Sequence, residues 1–288
     1  QVTWSRSMTF DSDALLASFD GNAVARMVAS DTADSSTLTA DRLDVRLKNQ
    51  KAGGAGTGAT GGVDIAANLA GAGDLALDTI TANGTVVASG GQMGPDNKPL
   101  TRMFLTTEQL TYNDNTHQLT IPVPGKMLLE DDRPDKAGDA KANGRGQTAF
   151  SWTGSLVYDQ GHDSVELTRG VHMVHVPLTP ISIGGEQADA GSRVELATEH
   201  LLAKLAAVKD VTGGTSAASP VGVGNDGNQR LESVVADHGA VLTMDGSREL
   251  RADTLSYNDD THIATASGPD GSPAVFTEPG KELVDSTL

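Results

Sequence analysis

Leu105-Thr-Thr-Glu-Gln-Leu-Thr-Tyr-Asn-Asp-Asn-Thr-His117 returns later in the chain as Leu250-Arg-Ala-Asp-Thr-Leu-Ser-Tyr-Asn-Asp-Asp-Thr-His262. In both copies apolar and polar residues alternate up to a tyrosine, and a cluster of Asn and Asp follows. Such alternation marks a half-buried strand, because successive side chains leave a strand on opposite faces. The Asx cluster marks the turn that ends it. A strand-and-turn element that occurs twice means that the fold repeats.

A second signature is duplicated as well. Trp4-Ser-Arg-Ser-Met-Thr-Phe-Asp11 matches Trp152-Thr-Gly-Ser-Leu-Val-Tyr-Asp159, 148 residues on, and Tyr112 and Tyr257 stand 145 apart. Between them Leu38-Thr-Ala-Asp-Arg-Leu43 corresponds to Leu196-Ala-Thr-Glu-His-Leu201, and Asn83-Gly-Thr-Val86 to Asp237-His-Gly-Ala-Val241. The order is kept, so the chain reads as a tandem duplication with halves at 1–144 and 145–288. Each half is itself double. The pattern Leu-x-(Ala/Thr)-(Asp/Glu)-x-Leu begins at Leu38, Leu105, Leu196 and Leu250, each time after a glycine that leads a short apolar strand: Gly21, Gly84, Gly170 and Gly239. Four units are expected, over roughly 4–48, 63–133, 148–209 and 230–279. The Gly-rich stretch 49–62, the stretch 134–147 and the Gly/Ser-rich stretch 210–229 cannot bury a core and are expected to be mobile loops. Asx-Gly pairs at Asp20, Asn83, Asn143, Asp226, Asp245 and Asp270 are expected to be tight turns, several of them hairpins.

Composition narrows the function. A chain of 288 residues holds one large β domain or two smaller ones. With 38 acidic and 21 basic residues its net charge is −17, a field that repels nucleic acid, so no nucleic-acid partner is expected. Cysteine is absent, which excludes a disulfide framework and a thiolate metal site. No stretch approaches the 18 apolar residues of a spanning helix, and the start at Gln1 shows no signal-peptide pattern, which fits a processed or trimmed chain. Aromatics at 3% and 33 glycines fit short strands with many turns.

One segment reads two ways. Val194 to Lys209 carries good helix formers, with Val194, Ala197, Leu201, Leu205 and Val208 at helical intervals. Its repeat partner ends Leu43-Asp-Val-Arg-Leu47 in clean alternation, and on that correspondence the segment is expected to be a strand. Parity also puts Trp4, Met8 and Phe10 on one face, and Trp152, Leu156 and Tyr158 on another. The expected fold is all-β: an elongated antiparallel jelly roll or folded-over sheet, solenoid-like, with its apolar residues inside.

Phe-Asp-Gly-Asn-Ala-Val24 followed by Leu-Thr-Ala-Asp-Arg-Leu-Asp-Val45, and again Arg251-Ala-Asp-Thr-Leu-Ser-Tyr257, resembles the OstA-like repeat. That repeat builds the periplasmic lipopolysaccharide-transport proteins of the LptA and LptC type and the N-terminal part of LptD. The resemblance covers most of the chain apart from its three loops. The Gly-rich insertions and the duplicated Trp-containing strand depart from it and suggest a divergent member, or a piece of a larger envelope protein. It implies four OstA-like units whose interior carries acyl chains, with lipopolysaccharide or another amphiphilic lipid as partner. It further implies a periplasmic or cell-envelope location in a Gram-negative-type bacterium, and edge-to-edge association with itself or with other jelly rolls. The lining implied in the first half is Trp4, Met8, Phe10, Val24, Leu43, Val45, Leu47, Val86, Leu110 and Tyr112. In the second half it is Trp152, Leu156, Tyr158, Met173, Leu201, Leu205, Val241, Leu255 and Tyr257.

The same apolar residues also suit a dry core, which leaves a structural or adhesive repeat scaffold as an alternative. His172 and His175 are three apart on a strand, face opposite sides and cannot share a metal. Asn113-Asp-Asn115 and Asn258-Asp-Asp260 offer calcium-type oxygens, but turn chemistry accounts for them, and no metal or cofactor is expected. No nucleophile elbow, zinc-helix or phosphate-loop motif stands in its proper context, and Gly222-Val-Gly-Asn-Asp-Gly227 lies in a linker with no helix after it. No catalytic residue is singled out and no enzyme is expected. A carbohydrate-active β-helix enzyme with a carboxylate pair remains the third alternative.

Overall fold

The structure is a computed structural model. It describes residues 1–28, 35–49, 75–93, 99–131, 146–177, 181–183, 186–188, 193–207, 229–258, 261, 263–278 and 281–284. Apart from their ends, the segments 49–62, 134–147 and 210–229 lie outside these residues, as do the Asx-Gly pairs at Asn143 and Asp226.

The protein is all-β, and among the described residues its only helical turn is a 3-10 turn, Pro269–Gly271. The strands in the first part of the chain are β1 (Val2–Thr3), β2 (Ser7–Asp11), β3 (Leu16–Val28), β4 (Ser35–Asn49), β5 (Leu75–Met93), β6 (Pro99–Asn113) and β7 (Gln118–Ile121). Then come β8 (Gly125–Asp131), β9 (Gly146–Trp152), β10 (Leu156–Asp159), β11 (Ser164–Pro177), β12 (Ile181–Ile183) and β13 (Glu186–Ala188). The chain continues with β14 (Val194–Ala207), β15 (Gln229–Met244), β16 (Arg248–Asn258), β17 (Ile263–Ser267), β18 (Val275–Glu278) and β19 (Lys281–Val284).

Two compact units are formed. One holds the described residues of 1–123 together with 157–162 and Gln229; the other holds those of 124–156, 163–207 and 230 onward. In the first, β3, β4, β5, β6 and β7 form an antiparallel meander, with β1 and β2 following one another along the outer edge of β3. In the second, β8, β9, β11 and β14 pair in turn, β14 lies beside β15, and β15 pairs with β16. β16 carries β17 and β18, β19 closes on β18, and β12 and β13 form a separate small hairpin.

Each sequence repeat is one long hairpin bent at its glycine. Gly21, Gly84, Gly170 and Gly239 all take positive φ inside a strand rather than in a turn. At each, two residues on the glycine-bearing strand face a single residue on the next strand, which shifts the register. That single residue is the acid of the repeated motif: Asp41, Glu108, Glu199 or Asp253. A two-against-one bulge with a left-handed residue bends and twists a strand locally. The spacing of the motif follows from it. Leu38 and Ala40 are buried before the acid and Leu43, Val45 and Leu47 after it, so the apolar face changes parity at Asp41. Met103 and Leu105, then Leu110 and Tyr112, repeat the change on β6.

The Asx-Gly pairs Asp20-Gly21 and Asn83-Gly84, expected to be tight turns, are therefore bends within strands. A bulge and a hairpin turn demand the same left-handed backbone, so local sequence does not separate them. Asp245-Gly246 does turn a hairpin, between β15 and β16. Val194–Ala207 is a strand, with Leu196 and Leu201 buried and Ala197 exposed. Four strands end in an aromatic-Asx pair whose Asx oxygen accepts backbone N–H groups: Asp11 from Asp13 and Ala14, Asn113 from Asn115 and Thr116, Asp159 from His162, Asn258 from Thr261. Side-chain capping of this kind closes the turns.

Candidate functional site: the inward apolar face

In the first unit Leu43, Val45 and Leu47 on β4 lie opposite Ala82, Ile80 and Leu77 on β5, all buried. Val86, Leu110, Tyr112 and Tyr158 are buried too. Burial first, and the charge of Asp114 second, push the Tyr112 phenol up to about 12. The interior is thus a poor medium for charge. Met8, opposite Phe19, is half-buried. Phe10 pairs with Ala17, which is fully buried, yet is itself 44% exposed. Trp4 is 43% exposed and leans on Phe19, with ring centroids 5.1 Å apart. Val24 sits opposite Thr39 between inward Ala23 and Ala25, and so faces outward, half-buried.

In the second unit Trp152, Leu156 and Leu201 are buried. Met173 (opposite Leu196), Leu205, Leu255 (opposite Ala236) and Tyr257 (opposite Val234) are half-buried. Val241 faces Arg251 on the outward side, and Ala240 takes the inward place beside the glycine. Each of the two stands just past a bulge, where the apolar face changes parity, so Val24 and Val241 lie off the inward set that the resemblance implies.

Among the described residues, three polar side chains are buried on the inward faces: Ser36, Thr198 and His175. His175 is 6% exposed, its Nδ1 is 2.7 Å from Thr148 Oγ1, and among the described residues its Nε2 has no partner. Burial holds its pKa below the ordinary value. His172 points the other way, with Nε2 3.3 Å from Glu195 Oε2. The oxygens of Asn113 and Asn258 are spent on turn amides, as noted above.

Protein-family models and curated proteins were both compared with the chain, and neither yields a match.

The outward face of the second unit holds a group that single-sequence reading passed over. His200 Nδ1 is 2.9 Å from Asp237 Oδ1, His238 Nδ1 is 2.6 Å from the same oxygen, and His200 Nε2 is 3.0 Å from Glu166 Oε1. Burial lowers the His200 pKa, but the two carboxylates outweigh it and the net shift is upward. The signal was present as the x residue of the third motif and the Asp-His-Gly of the fourth bend. It becomes legible only once β14 and β15 are placed side by side. In the first unit a shallow depression on the polar face is lined by Leu16, Asp44, Arg46, Asp78, Thr79, Thr81 and Thr111. Arg42 bonds Asp44, and Lys48 lies 3.3 Å from Asp114, so its surroundings are built from paired charges.

Proposed function

We propose that this protein is a non-enzymatic cell-envelope protein that binds an amphiphile, of lipopolysaccharide type, along its inward apolar face. One observation carries the reading: Trp4 lies against buried Phe19 and Phe10 pairs with buried Ala17, yet they are left 43% and 44% exposed. Apolar surface on an inward face that the protein itself does not cover is where an acyl chain gains most. Each methylene buried contributes about 0.8 kcal/mol, so a few chains suffice for stable carriage. The same glycine bulge opposite the motif acid recurs in all four units, which supports reading the chain as repeats of one β-unit. A periplasmic location and edge-to-edge partners belong to the same proposal.

A second reading, a scaffold with a dry core, is favoured by the near-complete burial of Leu43, Val45, Leu110, Leu156 and Leu201. Native mass spectrometry of protein from a Gram-negative host, followed by lipid extraction of the same sample, separates the two. A retained adduct that extracts as lipid A or phospholipid supports carriage. A clean apo mass, unchanged after incubation with lipopolysaccharide, sinks it and leaves the scaffold.

A further inference from the structure

We infer that His200, Asp237 and His238 form a site for a divalent transition-metal ion of the zinc, copper(II) or nickel class. Among the described residues these three bring their ligand atoms within 4.8 Å of one another. Two imidazole nitrogens and a carboxylate suit a borderline metal, whereas calcium and magnesium prefer oxygen alone.

The surroundings favour coordination over a simple hydrogen-bond cluster. His200 Nε2 lies 3.0 Å from Glu166 Oε1, so with an N–H donated there, loss of the Nδ1 proton frees that nitrogen's lone pair on the Asp237 side. A carboxylate behind the ring is the usual support of a metal-bound histidine, fixing its tautomer and raising its basicity. Metal would enter in place of the protons now shared with Asp237, and those protons leave to water. The His238 side chain is 76% exposed, and those of His200 and Asp237 are 25% and 27% exposed, so an ion can reach the site and keep water ligands.

The fold does not require these residues. At the matching bend of the first unit, Arg42 faces Asn83, and the Thr85 N–H donates to Asp41 Oδ2 at 2.8 Å. Asp41 fills that corner so tightly that a Cβ on Gly84 would lie 2.2 Å from its Oδ2. In the second unit the corresponding acid, Glu199, instead accepts from the Gly170 N–H at 3.3 Å. Among the described residues nothing would lie within 4 Å of a Cβ on Gly239. The repeat therefore builds one bend closed by a carboxylate and one left open, and the histidines stand at the open one.

The test uses the full chain without a histidine tag, stripped with chelator. Co2+ is titrated by visible absorption and Zn2+ by competition with a chromophoric chelator, for the wild type and for His200→Gln, Asp237→Asn and His238→Asn. Asparagine suits the left-handed backbone at His238 (φ 62°), so that variant keeps the fold, as circular dichroism checks. One equivalent should bind, each ligand variant should lose at least tenfold in affinity, and Glu166→Gln should lose about tenfold. His172→Gln and His162→Gln should bind as the wild type does. Wild-type affinity equal to that of the His200→Gln/His238→Asn double variant means adventitious surface binding only and overturns the site.

Discussion

Gly84 and Gly239 share a backbone conformation, φ +91° and +89°, but not a neighbourhood. A side chain at either pays the left-handed penalty of about 1 kcal/mol. At Gly84 it also meets Asp41, whose Cβ would lie 2.6 Å away, and such overpacking costs about 1–3 kcal/mol more. Gly84→Ala should therefore lose roughly 2–4 kcal/mol and Gly239→Ala only about 1 in urea unfolding. Equal losses would show that Asp41 does not close the bend. His175 makes a pH statement at the same scale. Its folded pKa is lowered by burial from 6.5, so as pH falls the unfolded chain takes the proton first. Stability is then complete above pH 6.5 and declines below it. Histidine NMR should find His175 titrating below 6.5 and His200, whose pKa is raised, above it. A flat stability difference between wild type and His175→Leu from pH 7.5 to 5 would contradict the assignment.

At the scale of the element, Val194–Ala207 is where two periodicities competed. Helical spacing groups Ala197 with Leu201, whereas the strand buries Leu196 and exposes Ala197. Propensity lost because β11 supplies a partner at every position from Val194 to Lys204 apart from the bulge at Glu199. Leu196→Ala should cost about 2–5 kcal/mol, and Ala197→Lys should stay within about 0.5 kcal/mol. The reverse order would restore the helix. The strands were legible, since alternation and the aromatic-Asx ends are local signals, whereas the four glycines, expected at turns or strand starts, lie inside strands. The parity change was not legible, because it depends on two residues of one strand facing a single acid on the next. Val24 and Val241, which the resemblance puts on the lining, face outward beside such a bulge.

For the whole molecule, Trp4 and Trp152 offer an internal comparison: the same signature, 43% exposed in one copy and 2% in the other. If an amphiphile occupies the inward face, its addition should shift tryptophan emission to the blue, and Trp4→Phe should abolish the shift. Phe10→Ser should weaken binding about tenfold, the equivalent of about 1.4 kcal/mol and roughly half of a full Phe burial. Unchanged emission on adding lipopolysaccharide or a zwitterionic detergent would instead favour the dry scaffold.

The sequence alone determined the all-β class, the repeat and the Asx turns, because each rests on neighbours a few residues apart. Tertiary structure decided which apolar residues are covered and which polar ones meet. Trp4 and Trp152 carry the same local signal, and only the strands around them set one half-bare and the other buried. His200 and Asp237 are 37 residues apart in the chain and 2.9 Å apart in space. Their meeting follows from strand register, which is set by the long-range packing of one apolar face and not by either residue.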